Sequence, residues 1–409
     1  MRISTSWMYQ RSVNTMLEQQ STLSNTQDQV SSGKRINVAS DDPTGSAQIV
    51  SLNHVLAGNT QYSANITAAN TRLSTESDTL NSVQNVLNSV NDAALQGING
   101  SLTAENRGNL ATELTQLRDQ LLQLANTTDA NGDALFSGTS DTSAPFQLNA
   151  DGSGNYTGNN VQAFTAIGPQ LKVANTDTGA NVFMNIPQGN GSFVASAGAA
   201  NSGSLVVGDN NVTDAAAWQN ATASGPVNYT INFQADGSYT VTDNNMGTPV
   251  NDSSGNPVTG TYTDGGSISF NGLTVNLQGS PADGDTVQVK SGGTQDIFTT
   301  LQGMINTLNS NASGTELTNQ LNRQLESVKQ TMASVSNAQV GVGTRMSTLD
   351  QKQTAYTDLE VTYKTALSGV QDVDMAQAIS NLSLQSTALQ ASQQVFAKVQ
   401  SLSLFNYIK

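Results

Sequence analysis

The sequence predicts an α+β multidomain fold, in which both chain ends build a long antiparallel α-helical coiled-coil rod and an all-β domain is inserted in the middle. Two observations carry this prediction. Apolar residues recur at alternating steps of four and three in both terminal regions, which is the spacing of a packed helical seam. Between Asp141 and Lys290, by contrast, lie 20 of the 35 glycines and 11 aspartates but no glutamate or arginine. This composition is typical of strands and turns.

The longest seam lies near the C-terminus. A continuous helix from Leu321 to Leu367 would be about 70 Å long, which exceeds the size of a compact globule, so it needs partner helices along its length. Polar residues interrupt the apolar spacing at three positions, so complete burial is not expected. The seam positions are Leu321, Leu325, Val328, Met332, Val335, Gln339, Val342, Met346, Leu349, Gln353, Tyr356, Glu360, Tyr363 and Leu367.

The N-terminal region predicts an arm, residues 1–39, followed by one half of the rod, residues 40–140. Glutamines at two seam positions weaken the arm, so we expect it to be disordered in a free monomer until a partner covers it. Asp42 is the expected N-cap of the next helix, with Pro43 at its first position, and Thr103 is the expected cap of a shorter helix. The apolar seam positions include Tyr9, Val13, Met16, Leu23, Val30, Leu52, Ile66, Leu73, Leu80, Leu87, Leu110, Leu114, Leu117, Leu121 and Leu124.

Residues 141–292 predict the all-β insertion. Strict apolar alternation runs from Val227 to Phe233 and resumes at Tyr239, on either side of a hairpin signal at Asp236-Gly237. Asn271-Gly272 separates a second alternating pair of segments in the same way. A sandwich or an open barrel is the expected architecture.

Residues 293–367 predict the returning half of the rod, which begins with a short helix over Ile297, Leu301, Ile305 and Leu308. Residues 368–409 predict a C-terminal arm with two adjoining apolar stripes, which suits contact with neighbours on two sides. The first stripe is Met375, Ile379, Leu382, Leu389 and Phe396, and the second is Leu384, Ala388, Ala391, Val395, Val399 and Leu402.

Composition excludes several functional classes. Of the 409 residues 11% are charged, and the net charge of −15 argues against nucleic acid or an anionic membrane as the main partner. The absence of cysteine excludes disulfides and thiol chemistry, and a single histidine, His54, poorly supplies zinc sites or Ser-His-Asp catalysis. The first residues show no apolar signal core, so composition alone would place the protein in the cytoplasm.

No combination of residues predicts an active site, a metal site or a cofactor. His54 has no serine or carboxylate four residues before or after it, and Gly33-Lys34-Arg35 and Gly341–Thr344 lack the full phosphate-loop spacing. Two surface readings remain alternatives to a merely structural role. Four aspartates could be calcium ligands instead of ordinary turn residues. Five aromatic residues could form a glycan-stacking platform instead of part of the core. These sets are Asp252, Asp264, Asp283 and Asp285, and Tyr156, Trp218, Tyr229, Tyr239 and Tyr262.

Several segments resemble one known family. MRISTSWMYQRSV at the start, SSGKRINVASDDPTGSAQ at residues 31–48, QYSANI at 61–66, ANGDALFSGT at 130–139 and LSLFNYI at 402–408 are similar to the hook-associated protein 3 family of bacterial flagella. These flagellin-like proteins lie at the junction of hook and filament. The resemblance covers about residues 1–140 and 293–409. Asn37-Val38-Ala39 departs from it, because a proline is expected before Ser40.

The resemblance implies a non-enzymatic, secreted component of the extracellular flagellum, exported by the type III apparatus, and so reverses the cytoplasmic prediction. It implies a homo-oligomeric ring with hook-associated protein 1 and flagellin as neighbours, and an export chaperone beforehand. Both arms would form an inner tube, while a flagellin-type filament subunit and an adhesin acting through the insertion remain alternatives. The residues expected to pack between subunits are Met16, Leu23, Val30, Ile379, Leu382, Leu389, Phe396, Leu402, Leu404 and Phe405.

Overall fold

A computed structural model describes residues 5–99 and 102–401 of the chain. Within these residues the long helices come from the two ends of the chain and a β-rich segment lies between them in the sequence, which confirms the predicted fold class. None of these helices has a stretch long and apolar enough to cross a bilayer. The α-helices are α1 (Thr5–Ser32), α2 (Pro43–Ile98), α3 (Ala104–Ala125), α4 (Ala215–Thr222), α5 (Ile297–Asn309), α6 (Gly314–Gln371) and α7 (Met375–Ser401).

The chain forms two compact units. The terminal unit comprises Met1–Ala64 and Gln351–Lys409, and the central unit comprises Asn65–Asp350. The predicted boundaries at 39/40 and 367/368 lie at or near the connections α1–α2 and α6–α7, whereas the two units divide within α2 and α6.

In the central unit, α2 and α6 run antiparallel. Asn70 Nδ2 donates to Asp350 Oδ1 at 3.2 Å, and Gln339 Nε2 donates to Asn81 Oδ1 at 3.0 Å. Near the end of α2, a methyl group added at Gly97 would lie 3.1 Å from the side chain of Leu321. The residue number of the contact on α2 increases from 70 to 97 while that on α6 decreases from 350 to 321. The two helices therefore run antiparallel, as the seams predict.

Most seam positions of the central unit are buried. On α6 the half-buried residues Met332, Gln339 and Met346 alternate with buried apolar residues, so the four-three spacing is confirmed there. The predicted short helix is α5, and its four predicted positions are all buried. The buried seam residues of the long helices are Ile66, Leu73, Leu80, Leu87, Leu321, Leu325, Val328, Val335, Val342 and Leu349.

The predicted caps are present. Thr103 is extended, and its side chain accepts a hydrogen bond from the amide of Asn106 at 3.2 Å. Asp42 Oδ1 accepts from the amide of Gly45 at 2.9 Å, and Pro43 is the first residue of α2. In each case one of the amides left without an intrahelical partner at the helix start is satisfied.

The insertion consists mostly of antiparallel strands. The strands are β1 (Phe146–Leu148), β2 (Gly154–Tyr156), β3 (Phe164–Ala166), β4 (Lys172–Ala174), β5 (Ile186–Pro187), β6 (Phe193–Ala197), β7 (Val206–Val207), β8 (Asn211–Val212), β9 (Asn228–Phe233), β10 (Ser238–Asp243), β11 (Thr248–Pro249), β12 (Thr259–Thr261), β13 (Ser267–Phe270), β14 (Leu273–Gln278), β15 (Thr286–Ser291) and β16 (Thr294–Gln295). Six of them form one sheet in the order β11-β10-β9-β15-β6, with β12 also on β10, and four form a second in the order β13-β14-β7, with β8 also on β14. The remaining strands pair as β1 with β2, β3 with β4 and β5 with β16.

Both predicted hairpins form in register. Tyr239 pairs with Phe233 across the first, and Phe270 pairs with Leu273 across the second. The second turn holds Asn271 at φ 50° and Gly272 at φ 77°. Asparagine and glycine are the residues that adopt this left-handed backbone at the lowest cost.

The two larger sheets share one hydrophobic core, as expected for a sandwich. Ile231 and Val287 of the six-stranded sheet and Val275 and Leu277 of the four-stranded sheet are buried in it. Helix α4 makes the insertion β-rich rather than entirely β. It begins where Asp214 caps the amides of Ala216 and Ala217, ahead of a run of good helix formers.

A second, smaller cluster occupies the start of the insertion. Phe146 of β1 lies 5.3 Å from Phe183 of a π-helical turn, Ala180–Met184, and 6.1 Å from Phe298 of α5, measured between ring centroids. Strand β1 and this turn therefore pack together with α5. Residues 141–292 contribute to two cores rather than one.

Truncating Val342 to alanine tests the seam. Its side chain is fully buried on α6, so Val342→Ala should lower the free energy of unfolding of the helical transition by about 2 kcal/mol, from lost transfer energy and the cavity. Urea denaturation followed by far-ultraviolet circular dichroism measures it. Val340→Ala removes the same atoms from a side chain that is 67% exposed on the same helix, and should change stability by less than about 0.5 kcal/mol. Equal losses in both variants would contradict the assigned seam.

Candidate functional site

The terminal unit pairs the first and last helices of the chain. α1 packs along α7, and the rings of Tyr9 and Phe396 meet edge to face with centroids 5.8 Å apart. The early part of α2 and the late part of α6 belong to the same unit, where Tyr62 stacks on Tyr356 at 5.8 Å. The two predicted arms therefore form helices that pack against each other.

The segment after α1 ties the two connections together. Gly33 ends α1 at φ 70°, and its carbonyl accepts from the amide of Val373 at 3.0 Å. Arg35 donates from its guanidinium to the Val370 carbonyl at 2.7 Å and from its amide to the Gln371 carbonyl at 2.7 Å. Gly33-Lys34-Arg35 is thus a helix terminus joined to the end of α6, not a phosphate-binding loop.

Two adjacent aspartates organise the following turn. Asp41 Oδ2 accepts from the amides of Asn37 and Val38, both at 3.0 Å. The hydrogen bond from the Gly45 amide, aided by Arg35, keeps the pKa of Asp42 below its ordinary value. A methyl group at Gly45 would lie 2.5 Å from the end of the Ile36 side chain, so a larger residue there would require Ile36 to move.

The predicted inter-subunit residues do not all occupy the same environment. Ile379 is 53% exposed, and Leu402, Leu404 and Phe405 lie outside the described residues. The other six are half-buried: Met16, Leu23, Val30, Leu382, Leu389 and Phe396. Those six positions stay predictions as contacts between subunits, and within one chain they already form the shielded side of the arms.

The second predicted stripe of α7 is exposed along its described length, whereas the first is exposed only at its start, at Met375 and Ile379. Leu384 is 66% exposed and Val395 61%, while Ala388 and Ala391 are exposed as well. α1 adds exposed apolar residues that the heptad spacing did not single out, with Trp7 at 55% and Leu17 at 59%. The signal that could have found them is a second stripe on α1, beside the one through Tyr9 and Met16.

An open groove of about 390 Å³ runs between the two arms. Met8 and Met16 line it from α1, and Val395, Phe396 and Val399 from α7. Large exposed apolar surface beside such a groove is typical of a surface that another protein covers. The groove and the exposed apolar residues beside it are suited to binding a helix of another protein.

The candidate calcium ligands are turn residues. Asp285 is buried and accepts from the amides of Ser202, Gly203 and Ala282 at 2.8, 3.0 and 2.8 Å. Asp252 accepts from two amides of its own turn, Ser254 and Asn256. Within the described residues no group of three or more acidic or histidine side chains is placed to hold a metal ion.

The candidate glycan-stacking aromatics lie in or against the cores. Tyr229 and Tyr262 are buried in the core between the two larger sheets, and the partly buried Trp218 and Tyr239 pack against the same core. Tyr156 lies 4.9 Å from Phe146 in the smaller cluster. His54 is exposed on α2, and Gly341–Thr344 lie inside α6.

Known proteins match both ends of this chain, and solved structures match most of its length. The bacterial flagellin N-terminal helical region matches residues 3–141, and the bacterial flagellin C-terminal helical region matches residues 325–408. Flagellar hook-associated protein 3 of Salmonella typhimurium is 33% identical over 186 residues, 46% of this chain and 58% of that protein. The crystal structure of the flagellar junction protein FlgL from Legionella pneumophila is 31% identical with a TM-score of 0.69, over 79% of this chain and 100% of that one. The chain belongs to the flagellar hook-associated protein 3 (FlgL) family.

FlgL relatives account for more of the chain than filament proteins do. The flagellar filament 41 kDa core protein of Borreliella burgdorferi is 36% identical over 109 residues, only 27% of this chain and 32% of that protein. The chain spans about half the length of the curated FlgL relatives it matches. The family resemblance of the sequence motifs is confirmed, and the FlgL fold extends into the insertion.

Hydrogen exchange tests the marginal stability of the arms. In α1 and α7 the large apolar residues are half-buried or exposed, whereas the central unit has buried seams, so amides of residues 5–32 and 375–401 should exchange fast in the free chain. Protection should extend from about residue 45 to about residue 365. Exchange measured by mass spectrometry on the monomer checks this, with the peptides of α3 as an internal reference for a packed helix. Arms as protected as α3 would contradict it.

Proposed function

We propose that this FlgL-family chain is a structural adaptor of the bacterial flagellum that joins the hook to the filament through helix packing between subunits. The observation that carries the proposal is the apolar surface of the arms. α1 and α7 cover each other along one side only and leave Leu384, Val395 and Trp7 exposed. Such a surface acquires its stability from neighbouring helices in an assembly.

The partners proposed for this surface are other flagellar subunits. A ring of identical chains would have hook-associated protein 1 on the hook side and flagellin on the filament side. The chain would be secreted through the flagellar export apparatus and would act outside the cell. A cytoplasmic chaperone would cover the C-terminal arm before export.

The proposed role requires no catalysis. The carboxylates of the described turns accept backbone hydrogen bonds, and the aromatics fill cores, so these groups serve the fold. Relatives of this chain are structural proteins of the flagellum. We therefore propose that the chain binds its partners through packed helices and not through a polar pocket.

Placing a charge in the groove between the arms tests the adaptor role. Phe396→Asp should abolish incorporation into the flagellum, because it would place a carboxylate against Tyr9 and the apolar residues of the groove in every subunit. A strain whose only copy carries the change should lose swimming motility and shed its filaments into the medium. Leu389→Asp should act in the same way.

Met246→Asp is the matched control, since Met246 is 73% exposed in the insertion, far along the chain from either arm. A strain that carries this variant should swim normally. Normal motility and retained filaments in the Phe396→Asp strain, with the protein exported at the usual level, would overturn the adaptor proposal.

A filament subunit is the second candidate, because the matched terminal regions are those of flagellins. The two functions differ in self-assembly. We expect the purified chain to stay monomeric or to form small rings under conditions that polymerise flagellin, as seen by sedimentation and negative-stain electron microscopy. Long filaments of the pure chain would favour the flagellin role.

A further inference from the structure

Glu76 of α2 lies in the centre of the packed central unit. Its side chain is fully buried, and its Oε1 accepts a hydrogen bond from the amide of Asp177 at 3.1 Å. Asp177 lies in the connection between β4 and the π-helical turn. Glu76 therefore meets a loop of the insertion on the inner side of a long helix.

Arg345 of α6 completes the cluster. Its guanidinium forms an ion pair with Asp177 Oδ2 and donates to the carbonyl of Thr176 at 3.3 Å, while its Nε donates to Gly341 within α6. Asp177 Oδ1 also accepts from Gln162 Nε2 at 3.0 Å. The loop after β4 is thus held from both long helices, by Glu76 on one side and by Arg345 on the other.

The charges of this cluster do not balance if both acids are ionised. Two carboxyl groups face one guanidinium, and Arg345 is directed to Asp177. Arg72, one turn before Glu76 on α2, is directed to Asp129 and to the Ala134 carbonyl. Glu76 Oε2 is buried and has no hydrogen-bond donor among the described residues. An ionised Glu76 would leave an uncompensated buried charge, which is among the most costly arrangements in a protein.

We propose that Glu76 is a neutral carboxylic acid in the folded protein, and that its proton clamps the loop after β4 to the paired long helices, so that the clamp opens in alkaline solution. As a neutral acid, Glu76 accepts from the Asp177 amide with Oε1 and donates from its hydroxyl to the neighbouring Asp177 carboxylate. Two carboxyl groups then share one proton, and the remaining negative charge belongs to the ion pair with Arg345.

The electrostatics of the site agree with this geometry. Burial, and then the negative charge of Asp177, raise the pKa of Glu76 from its ordinary 4.5 to about 8, while Arg345 opposes the increase. The folded pKa is above the unfolded one, so the closed clamp binds the extra proton. Its stability is complete below pH 4.5 and falls as pH rises, until it is lost above about pH 8.

Hydrogen exchange of the full chain between pH 5 and 9.5 tests the clamp. After correction for the intrinsic pH dependence of exchange, the protection factor of residues 174–178 should fall about tenfold per pH unit and then level off above about pH 8. Glu76→Gln keeps an acceptor for the Asp177 amide and a donor for its carboxylate. That variant should stay protected at the low-pH level across the whole range.

Glu113→Gln is the matched control, because Glu113 is exposed on α3 and should retain the wild-type pH profile. Far-ultraviolet circular dichroism establishes that each variant is folded. A wild-type profile without pH dependence in this segment would overturn the proposal on its own, whatever the variants do. Equal slopes in the wild type and Glu76→Gln would also overturn it, since the titrating group would then be another one.

Discussion

The antiparallel pairing of α2 with α6 is the constraint on which the central unit depends. Fully buried residues recur along both helices, and cross-helix hydrogen bonds at Asn70 and Asn81 fix which positions face each other. A seam with a period of two turns cannot slip by one residue without exposing its leucines. The segment that joins the two helices, made of α3, the insertion and α5, must therefore begin at the end of α2 and return to the start of α6.

Local sequence predicts those parts of the structure that depend on the spacing of apolar and turn residues along the chain. The seams of α2 and α6, the caps at Asp42 and Thr103, and both predicted hairpins follow from side-chain periodicity and from backbone preferences at single residues. Each signal is contained within a few turns or one strand pair, so no knowledge of distant residues is needed. The same locality explains why α4 was missed, since eight residues offer little period beside the strand signals around them.

The candidate site was only partly predictable, because the period identifies a stripe but not what covers it. Leu389 and Phe396 were correctly placed on an apolar face, yet that face is half-buried against the other arm, while the stripe through Leu384 and Val395 is exposed. Sequence alone does not distinguish an apolar stripe satisfied within the chain from one left for a neighbour. The Glu76 cluster was beyond prediction for a related reason. Its members are separated by about a hundred residues or more, and no spacing connects them.

The insertion is held to the long helices largely through its backbone. Asn319 donates to the Leu205 carbonyl at 2.9 Å and accepts from the Val207 amide at 2.8 Å, and Arg345 donates to the carbonyl of Thr176. Backbone groups are present whatever the side chain, so these attachments tolerate sequence change in the loop and strand that they hold. The two matched flagellin regions end at residue 141 and begin again at residue 325. A helical layer that holds the insertion mostly by backbone groups, with a few side-chain ion pairs such as Arg345–Asp177, allows much of the segment between them to vary while its position on the helices is kept.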